Sequence, residues 1–303
     1  MTRHVGLVGC GSWGRYILRD LRLLGCTVTA VARSAESRQR AREGGADIVS
    51  SVEELPDVDG IVVATPTATH AEVIRSLLER QVPIFVEKPL ANSAAAAAAL
   101  ADAEDLLFIM DKWRYHPGIT ELGRIARTEE LGPVVGLQTS RVGWDNPHDD
   151  VDSIWVLAPH DLAIGLEILG ELLPAHAAVA EFDGDQPVGL MSLCGTRPWH
   201  AFEVSTRRRD RSRSARLLCR NGIAELGDSF AEHVRITRGA SGRPGVPPDP
   251  EMRPITDEMP LLLELQEFVR YLDGGPPPRS SYRDGAAIVR VLTDLRQLAG
   301  LKA

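Results

Sequence analysis

The sequence has few cysteines, few aromatic residues and no excess of basic charge. Its four cysteines (Cys10, Cys26, Cys194 and Cys219) form no CxxC pair, which argues against a disulfide scaffold or a zinc ribbon. Lys and Arg number 34 against 42 Asp and Glu, so the formal net charge of −8 does not favour nucleic acid. No apolar run approaches the roughly 18 residues of a membrane span, and no signal peptide is evident. We expect a cytoplasmic protein with reduced cysteines, no metal, and no nucleic-acid or membrane partner.

The composition is that of an ordinary globular protein. The chain has 303 residues, of which 44% are hydrophobic and 25% charged, a length that suggests about two domains. The pattern of apolar segments changes near Tyr115. We therefore expect one domain over residues 1–114 and a second over residues 115–303, with the terminal helix packing back on the first domain.

The first part alternates apolar strands with helical segments. This order favours parallel strands joined by crossover helices, and so an α/β Rossmann domain with a doubly wound parallel sheet. Ser93 is a suitable N-cap, so the alanine run after it is expected to be helical. Strands are predicted at 3–8, 27–32, 60–64, 83–86 and 107–110, and helices at 13–24, 34–43, 70–80 and 93–103.

The second part carries consecutive strands rather than alternating elements. This favours an α+β domain with an antiparallel or mixed sheet. Residues 239–260 contain six prolines and three glycines and are expected to form a loop or a mobile flap. A helix is predicted at 160–169, strands at 177–182, 188–194, 201–206, 214–219, 222–226 and 234–238, and two terminal helices at 260–271 and 285–298.

A glycine-rich motif, GxGxxG, directly follows the first strand and opens a helical segment. In this context it predicts a dinucleotide site, because the three glycines allow a tight turn, close approach of a pyrophosphate, and packing of helix on strand. N–H groups at the helix N-terminus then face the negative charge. The alternative is a plain glycine-rich turn. The residues expected to bind the cofactor here are Gly9, Gly11, Ser12, Trp13 and Gly14.

The end of the second strand indicates which dinucleotide binds. NAD-binding proteins place an acidic residue there to hold the ribose 2′-hydroxyl, whereas this chain has Arg33 and Ser34, and no acid before Glu36. An arginine can pair with a 2′-phosphate in a bidentate way, and a serine hydroxyl can add a hydrogen bond. We predict a preference for NADP(H); the alternative is that Arg33 is a solvated loop residue and either cofactor binds.

Further motifs follow in a characteristic order. Residues 64–70 read ATPTATH, residues 86–90 read VEKPL, and Tyr115-His116-Pro117 and Ala158-Pro159-His160-Asp161 come later. Together with the glycine motif, this set resembles the glucose-fructose oxidoreductase / inositol dehydrogenase / MocA family. The resemblance implies a Rossmann domain, a second domain with a large, open, mostly antiparallel sheet, hydride transfer between a nicotinamide and a sugar or polyol carbon, and a homodimer or homotetramer.

The resemblance also assigns roles to residues at the ends of strands. It implies that Thr65, Pro66 and His70 line the dinucleotide, that Glu87 contacts the cofactor side, and that Lys88 lies near the reacting carbon. A cis peptide bond before Pro89 is a further implication. Independently of the family, ligands of open parallel sheets bind beyond the carboxyl ends of the strands, so these segments are expected to converge on one crevice.

His160 is the leading candidate for the catalytic base. It matches the catalytic histidine of the family, and imidazole has a pKa suited to proton transfer near neutrality. We expect it at the start of the helix, where the dipole favours neutral imidazole; the alternative is a histidine satisfied by local hydrogen bonds. Asp161, a candidate for substrate binding, could equally be a carboxylate of the first helical turn. Lys88 is expected to bind the substrate and to stabilise the negative charge that develops on the substrate oxygen as an alkoxide.

One position departs from the family. Many of its sugar and polyol dehydrogenases have an aspartate four residues before the histidine, where this chain has Val156. The APHD sequence instead resembles a branch that acts on nucleotide-linked sugars. Arg114, Tyr115 or Lys112 could contact the substrate, or could belong to packing at a domain hinge.

Two polar segments receive weaker functional interpretations. Seven arginines lie between Arg207 and Arg220, which we interpret as a solvated sheet face or subunit contact rather than a phosphate or nucleic-acid site. The polar residues from Trp144 to Asp150 match no metal-ligand spacing, and a substrate-facing loop or an ordinary polar loop are both open. We expect an NAD(P)-dependent oxidoreductase; the alternatives are a non-catalytic NADP(H)-binding regulator and a reductase of a non-sugar acceptor.

Overall fold

The computed structural model describes residues 2–144, 150–239 and 246–302. Its α-helices are α1 (Gly14–Leu23), α2 (Ala35–Glu43), α3 (His70–Leu77), α4 (Ala94–Ala98), α5 (Pro117–Arg127), α6 (Ser153–Leu169), α7 (Pro260–Leu272) and α8 (Tyr282–Leu298). Its strands are β1 (His4–Val8), β2 (Thr27–Val31), β3 (Asp47–Val49), β4 (Gly60–Val63), β5 (Ile84–Glu87), β6 (Leu107–Met110), β7 (Val134–Trp144), β8 (Ala175–Asp183), β9 (Gln186–Gly195), β10 (Trp199–Ser205), β11 (Arg207–Cys219), β12 (Gly222–Leu226), β13 (His233–Arg238) and β14 (Glu251–Pro254).

The chain forms two compact units. Unit 1 comprises Met1–Lys112 and Met259–Val289, and unit 2 comprises Trp113–Glu258 and Arg290–Ala303. The domain bounds expected from the sequence, 1–114 and 115–303, differ from this division mainly in the terminal helices. Helix α7 belongs to unit 1, and α8 is divided between the two units at Val289.

Unit 1 contains a six-stranded sheet in the order β3-β2-β1-β4-β5-β6. Every pair in it is parallel, which confirms the predicted doubly wound α/β sheet. Strands β4 and β6 are buried along their whole length, as continuous apolar strands are when helices cover both faces of a sheet. The strand order reverses between β1 and β4, and such a switch point is where open α/β sheets bind their ligands.

Helix α7 completes the core of unit 1. It contributes Leu261, Leu265 and Phe268 to the same cluster of buried side chains as Val5 and Phe85. The rings of Phe85 and Phe268 stack with centroids 4.9 Å apart. The core of the nucleotide-binding sheet is thus built from both ends of the sequence.

Unit 2 contains an eight-stranded sheet in the order β14-β13-β12-β11-β7-β10-β9-β8. Only β7 and β10 are parallel among its neighbouring strands, which confirms the expected large, mostly antiparallel sheet. Helices α5 and α6 pack against it through an apolar cluster that includes Ile119, Ile164 and Leu217.

Several predicted elements have different bounds. The helix expected at 160–169 begins at Ser153, because the carboxylate of Asp152 accepts hydrogen bonds from the amides of Ile154 and Trp155 and caps it. Pro159 therefore lies inside α6 rather than near its start. Helix α5 and strands β3 and β7 were missed. Within the segment expected to be a loop, residues 251–254 form β14, and residues 240–245 lie outside the described residues.

The arginines of β11 have acidic partners on other strands. Arg208 forms ion pairs with Glu181 and Glu203 at 3.1 and 2.7 Å, and Arg207 pairs with Asp183. This part of the run is a solvated sheet face, as interpreted from the sequence. Most of the polar segment from Trp144 to Asp150 lies outside the described residues, which omit 145–149.

Candidate active site

The glycine loop of unit 1 has the backbone that its motif predicts. Gly9 has a φ of 99°, and a Cβ there would lie 2.6 Å from the carbonyl oxygen of Ala64. A Cβ at Gly14 would lie 2.3 Å from the carbonyl oxygen of Gly9, so the start of α1 can approach the loop only without a side chain. A Cβ at Gly11 would meet no atom within 4 Å. The loop therefore leaves an open backbone surface at Gly11, where a pyrophosphate can approach.

Trp13 joins this loop to two other strand ends. As the N-cap of α1 it makes no side-chain capping bond, so the first N–H groups of the helix have no side-chain cap. Its indole Nε1 instead donates a hydrogen bond to the carboxylate of Glu87 at the end of β5. The ammonium of Lys112, just beyond β6, lies 4.0 Å from the centroid of the Trp13 ring.

Glu87 and Lys88 lie where β5 ends, next to the glycine loop. Burial raises the pKa of Glu87, while the positive charges of Lys88 and Lys112 and the hydrogen bond from Trp13 oppose that rise. The peptide bond between Lys88 and Pro89 is cis, as the family resemblance implies. The carboxyl and the ammonium are thus adjacent in sequence at one edge of the sheet.

His70 connects two turns at this edge. Its side chain is 1% exposed, with Nδ1 2.8 Å from the carbonyl oxygen of Pro89 and Nε2 3.0 Å from that of Thr65. The Thr65 hydroxyl accepts a hydrogen bond from Thr69 Oγ1 at 3.0 Å. His70 was expected to line the dinucleotide; these two ring contacts hold together the turns that follow β4 and β5.

Arg33 and Ser34 follow β2 at the same edge. Arg33 is exposed. Ser34 is the N-cap of α2, and its Oγ accepts a hydrogen bond from the amide of Ser37 at 3.1 Å. The Ser34 hydroxyl, which was predicted to hydrogen-bond a 2′-phosphate, therefore also caps the N-terminus of α2.

In unit 2, His160 and Asp161 lie in the middle of α6. The expectation that they occupy its N-terminal turn is wrong, because the Asp152 cap places that turn at Ser153. The helix dipole therefore does not account for either residue. Asp161 accepts a hydrogen bond from Arg141 Nε at 2.7 Å, and the two side chains are 1% and 2% exposed. Asp161 is the counter-ion of a buried arginine.

The other residues expected to contact substrate are largely buried in unit 2. Arg114 forms an ion pair with Glu167 at 3.2 Å, and Tyr115 is 3% exposed. Val156 is 8% exposed on α6, four residues before His160. Within the described part of the chain, no three His, Cys, Asp or Glu side chains come together as metal ligands, and no helix has the length and apolar content needed to cross a membrane.

A family model matches this part of the chain. Residues 3–106 match GFO_IDH_MocA, the oxidoreductase family with an NAD-binding Rossmann fold. The match confirms the resemblance stated from the motifs over strands β1 to β5 of the six-stranded sheet, and the family it describes has an NAD-binding Rossmann fold.

Similar proteins include polyol and sugar dehydrogenases. Inositol 2-dehydrogenase 2 of Saccharopolyspora erythraea is 28% identical over 186 residues, which are 56% of this chain and 55% of the relative. The chain thus spans about half the length of the curated relatives it matches.

Solved structures with the same fold cover nearly the whole chain. UDP-N-acetylglucosamine 3-dehydrogenase GnnA from Acidithiobacillus ferrooxidans has a TM-score of 0.85 at 23% identity, over 98% of this chain and 97% of that chain. Levoglucosan dehydrogenase in complex with NADH and levoglucosan has a TM-score of 0.86 at 15% identity, over 99% and 98%. At 23% and 15% identity these similarities show the fold alone, and they cover both units.

One residue near the predicted ones was missed by sequence reasoning. Arg141, the partner of Asp161, lies in β7, and that strand was not predicted. Its guanidinium carbon lies 4.3 Å from the centroid of the Trp113 ring. An arginine in a segment that alternates polar and apolar residues is usually assigned to the solvent face, so the sequence offered no signal of burial.

Proposed function

We propose that this protein is an NADP(H)-dependent oxidoreductase that transfers a hydride between the nicotinamide and a sugar hydroxyl or ketone. The observation that carries the proposal is the glycine loop at the switch point of the sheet, bonded through Trp13 to the end of β5, where Lys88 follows. Under this proposal unit 1 binds the cofactor, and unit 2 contributes residues that bind the substrate.

The cofactor is held by backbone and by charge. The open surface at Gly11 and the N–H groups of α1 face the pyrophosphate, and Thr65 and Pro66, in the turn after β4, line the dinucleotide as the family resemblance implies. Arg33 is exposed, and no acidic residue follows it in the sequence before Glu36. In this proposal it pairs with a 2′-phosphate and so favours NADP(H) over NAD(H). When bound, the nicotinamide accepts or supplies the hydride.

Lys88 and His160 handle the proton and the charge of the substrate oxygen. The Lys88 ammonium donates a hydrogen bond to that oxygen and stabilises alkoxide character, with Glu87 beside it as a neighbouring carboxyl. His160 takes the hydroxyl proton as general base, a role supported by its partial exposure on α6 and by the resemblance to the family. Val156, which replaces the aspartate of many relatives, leaves this proton transfer to the histidine alone on that turn of the helix.

The substrate class is a cyclic polyol or sugar. The names of the similar proteins describe action on inositol, on an N-acetylglucosamine carried by UDP, and on levoglucosan, all of which are ring compounds with secondary hydroxyl groups. A nucleotide-linked sugar is therefore one candidate. Exposed apolar side chains on β8 and β9, among them Val179 and Met191, support association into a homodimer or homotetramer through this sheet.

The decisive experiment separates binding from chemistry. Calorimetric titration with NADP⁺ and with NAD⁺ tests the cofactor, and hydride transfer to sugars and polyols, followed by the absorbance of the reduced nicotinamide, tests the reaction. Lys88→Ala should lower kcat by orders of magnitude while the Kd for NADP⁺ changes less than about threefold. Loss of cofactor binding in that variant would show that the lysine is structural.

A second function is favoured by Val156 alone. Without the aspartate of its relatives, the chain would bind NADP(H) as a non-catalytic regulator. A third alternative is an enzyme that reduces a non-sugar acceptor. Binding of NADP(H) with no hydride transfer to any sugar or polyol would support the regulator. Transfer to an imine or tetrapyrrole acceptor alone would support the third.

A further inference from the structure

A cavity of about 320 Å³ lies in unit 2. Three arginines contribute to its wall, which is otherwise formed by the ends of β7 and β10, the turn after β10, and α6. The lining residues are Arg141, Val142, Gly143, Trp144, Leu157, Ser205, Thr206, Arg211 and Arg213.

The strand pairing brings two of these arginines face to face. Arg213 on β11 is directly opposite Arg141 on β7 in antiparallel register. Like charges directly opposite each other destabilise a sheet, so this pairing costs free energy of folding. Burial, together with the charges of Arg141 and Arg211, lowers the pKa of Arg213 to about 10, so the side chain still carries its charge near neutrality.

These charges are incompletely matched by the described residues. Arg141 is fully buried and pairs through Nε with Asp161, but its Nη1 has no hydrogen-bond partner among them, and neither does Nε of Arg213. The charges of Asp161 and Asp228 raise the pKa of Arg213, but neither carboxylate forms an ion pair with it. In residues 2–144, 150–239 and 246–302, no carboxylate forms an ion pair with Arg211 or Arg213. By contrast, Arg208 on the same strand has two acidic partners. The cavity wall therefore offers guanidinium groups with unused donors.

The cavity is close to the proposed catalytic base. Leu157 lines it, and His160 lies three residues later on the same face of α6, about 4.5 Å further along the helix axis. The volume is near the lower end of the roughly 300–1,000 Å³ of small-molecule sites, so it suits a group the size of one sugar.

From this arrangement we infer that the substrate is an anionic sugar, whose carboxylate or phosphoryl group binds Arg213, Arg211 and the buried Arg141 while its ring lies beside His160. The inference rests on the proposed function for its reaction and adds the charge of the substrate. Neutral polyols should then be poor substrates, because they leave the desolvated guanidinium groups without an acceptor.

The test measures equilibrium binding by calorimetry, with and without NADP⁺, so that it does not depend on turnover. The probes are D-glucose, D-glucuronate, D-glucose 6-phosphate and UDP-glucose, which offer no anion, a carboxylate, a phosphomonoester and a diphosphate. We expect at least one anionic probe to bind about tenfold more tightly than D-glucose, and the strongest one identifies the anionic group.

Two variants locate that binding. Arg213→Gln should weaken the preferred anionic probe about tenfold or more, and Arg211→Gln, an exposed position that should not affect folding, at least about threefold. Arg209→Gln, an exposed arginine on the same strand outside the cavity, should bind as the wild type does. The inference is overturned if no anionic probe binds more tightly than D-glucose, or if Arg211→Gln and Arg213→Gln both bind as the wild type does. Oxidation of neutral sugars alone would overturn the inference and leave the proposed function intact. Binding of an anionic probe without any hydride transfer would contradict the proposed function and leave the anion site intact.

Discussion

The indole nitrogen of Trp13 donates a hydrogen bond to the carboxylate of Glu87, and so links the glycine loop after β1 to the end of β5. Lys112 lies over the same ring. One side chain of the GxGxxG motif is thus fixed by groups from two other strand ends. The loop owes its shape to its glycines, and its position relative to Lys88 to this tryptophan.

Removing the Glu87 carboxylate should release Trp13. In Glu87→Ala the indole loses its acceptor, and we expect the Kd for NADP⁺ to rise about tenfold to a hundredfold, the range for losing one hydrogen bond to a charged group. Glu87→Gln keeps an acceptor oxygen and should change the Kd less than about threefold. Glu79→Ala, an exposed glutamate of the same unit, serves as the control, and equal effects of the Ala and Gln variants would contradict this account.

Cofactor choice should depend on Arg33. Replacing it with alanine removes a bidentate partner of the 2′-phosphate, so the Kd for NADP⁺ should rise about tenfold or more while that for NAD⁺ changes less than about threefold. Arg75→Ala, an exposed arginine on α3, controls for loss of charge. Parallel losses for both cofactors in Arg33→Ala would mean that this residue does not read the 2′-phosphate.

The ion pair between Arg141 and Asp161 should be costly to break. Asp161→Asn leaves a buried guanidinium without its counter-charge, and we expect a loss of about 3–5 kcal/mol of unfolding free energy in urea. Arg141→Met combined with Asp161→Leu should recover most of that loss, since neither charge remains. Asp210→Asn, at an exposed position of β11, should be neutral. A double variant no more stable than Asp161→Asn would argue against the pairing.

Glu264 on α7 should make stability fall as pH rises. It is fully buried, neither carboxyl oxygen has a hydrogen-bond partner among the described residues, and burial followed by the charge of Glu87 raises its pKa well above the ordinary value. Between the ordinary pKa and the raised one, the folded state therefore binds more protons than the unfolded state, and unfolding free energy decreases with increasing pH.

Glu264→Gln removes this proton linkage. The thermal midpoints of the variant and the wild type should coincide in acid and separate by a few degrees at alkaline pH, with the variant higher. Glu267→Gln, on the same helix, loses only a partly exposed ion pair with Arg279 at 3.5 Å, so its curve should run parallel to that of the wild type at neutral and alkaline pH. Curves for Glu264→Gln that run parallel to the wild type would show that Glu264 stays in one protonation state.

The sequence predicted the elements that have strong local signals. β1, β4 and β6 are continuous apolar segments, and α1 begins at the glycine motif, so their bounds agree with the prediction within a residue or two. β7 was missed because its glycines and polar side chains interrupt the apolar pattern, and its assignment comes from pairing with β10 and β11. β3 has only three residues, too few for any pattern to be distinct.

The candidate site was predictable where it depends on backbone geometry. Only glycine fits at positions 9 and 14, because a Cβ there would overlap a backbone carbonyl oxygen, and the GxGxxG motif shows this constraint in the sequence. The burial of Asp161 was not predictable, since a carboxylate after Pro159 resembles one in a first helical turn, and only the pairing with a distant arginine shows otherwise. Position in the fold, rather than residue type, decides such roles.

The return of α7 to unit 1 has a consequence for synthesis of the chain. All six strands of its sheet leave the ribosome before residue 113, yet Leu261, Leu265 and Phe268 follow only after the strands of the other unit. Until then the apolar surface around Phe85 lacks the cover that α7 provides. We expect the nascent sheet to need a chaperone during that interval, and translation speed between the two segments to affect the yield of folded protein.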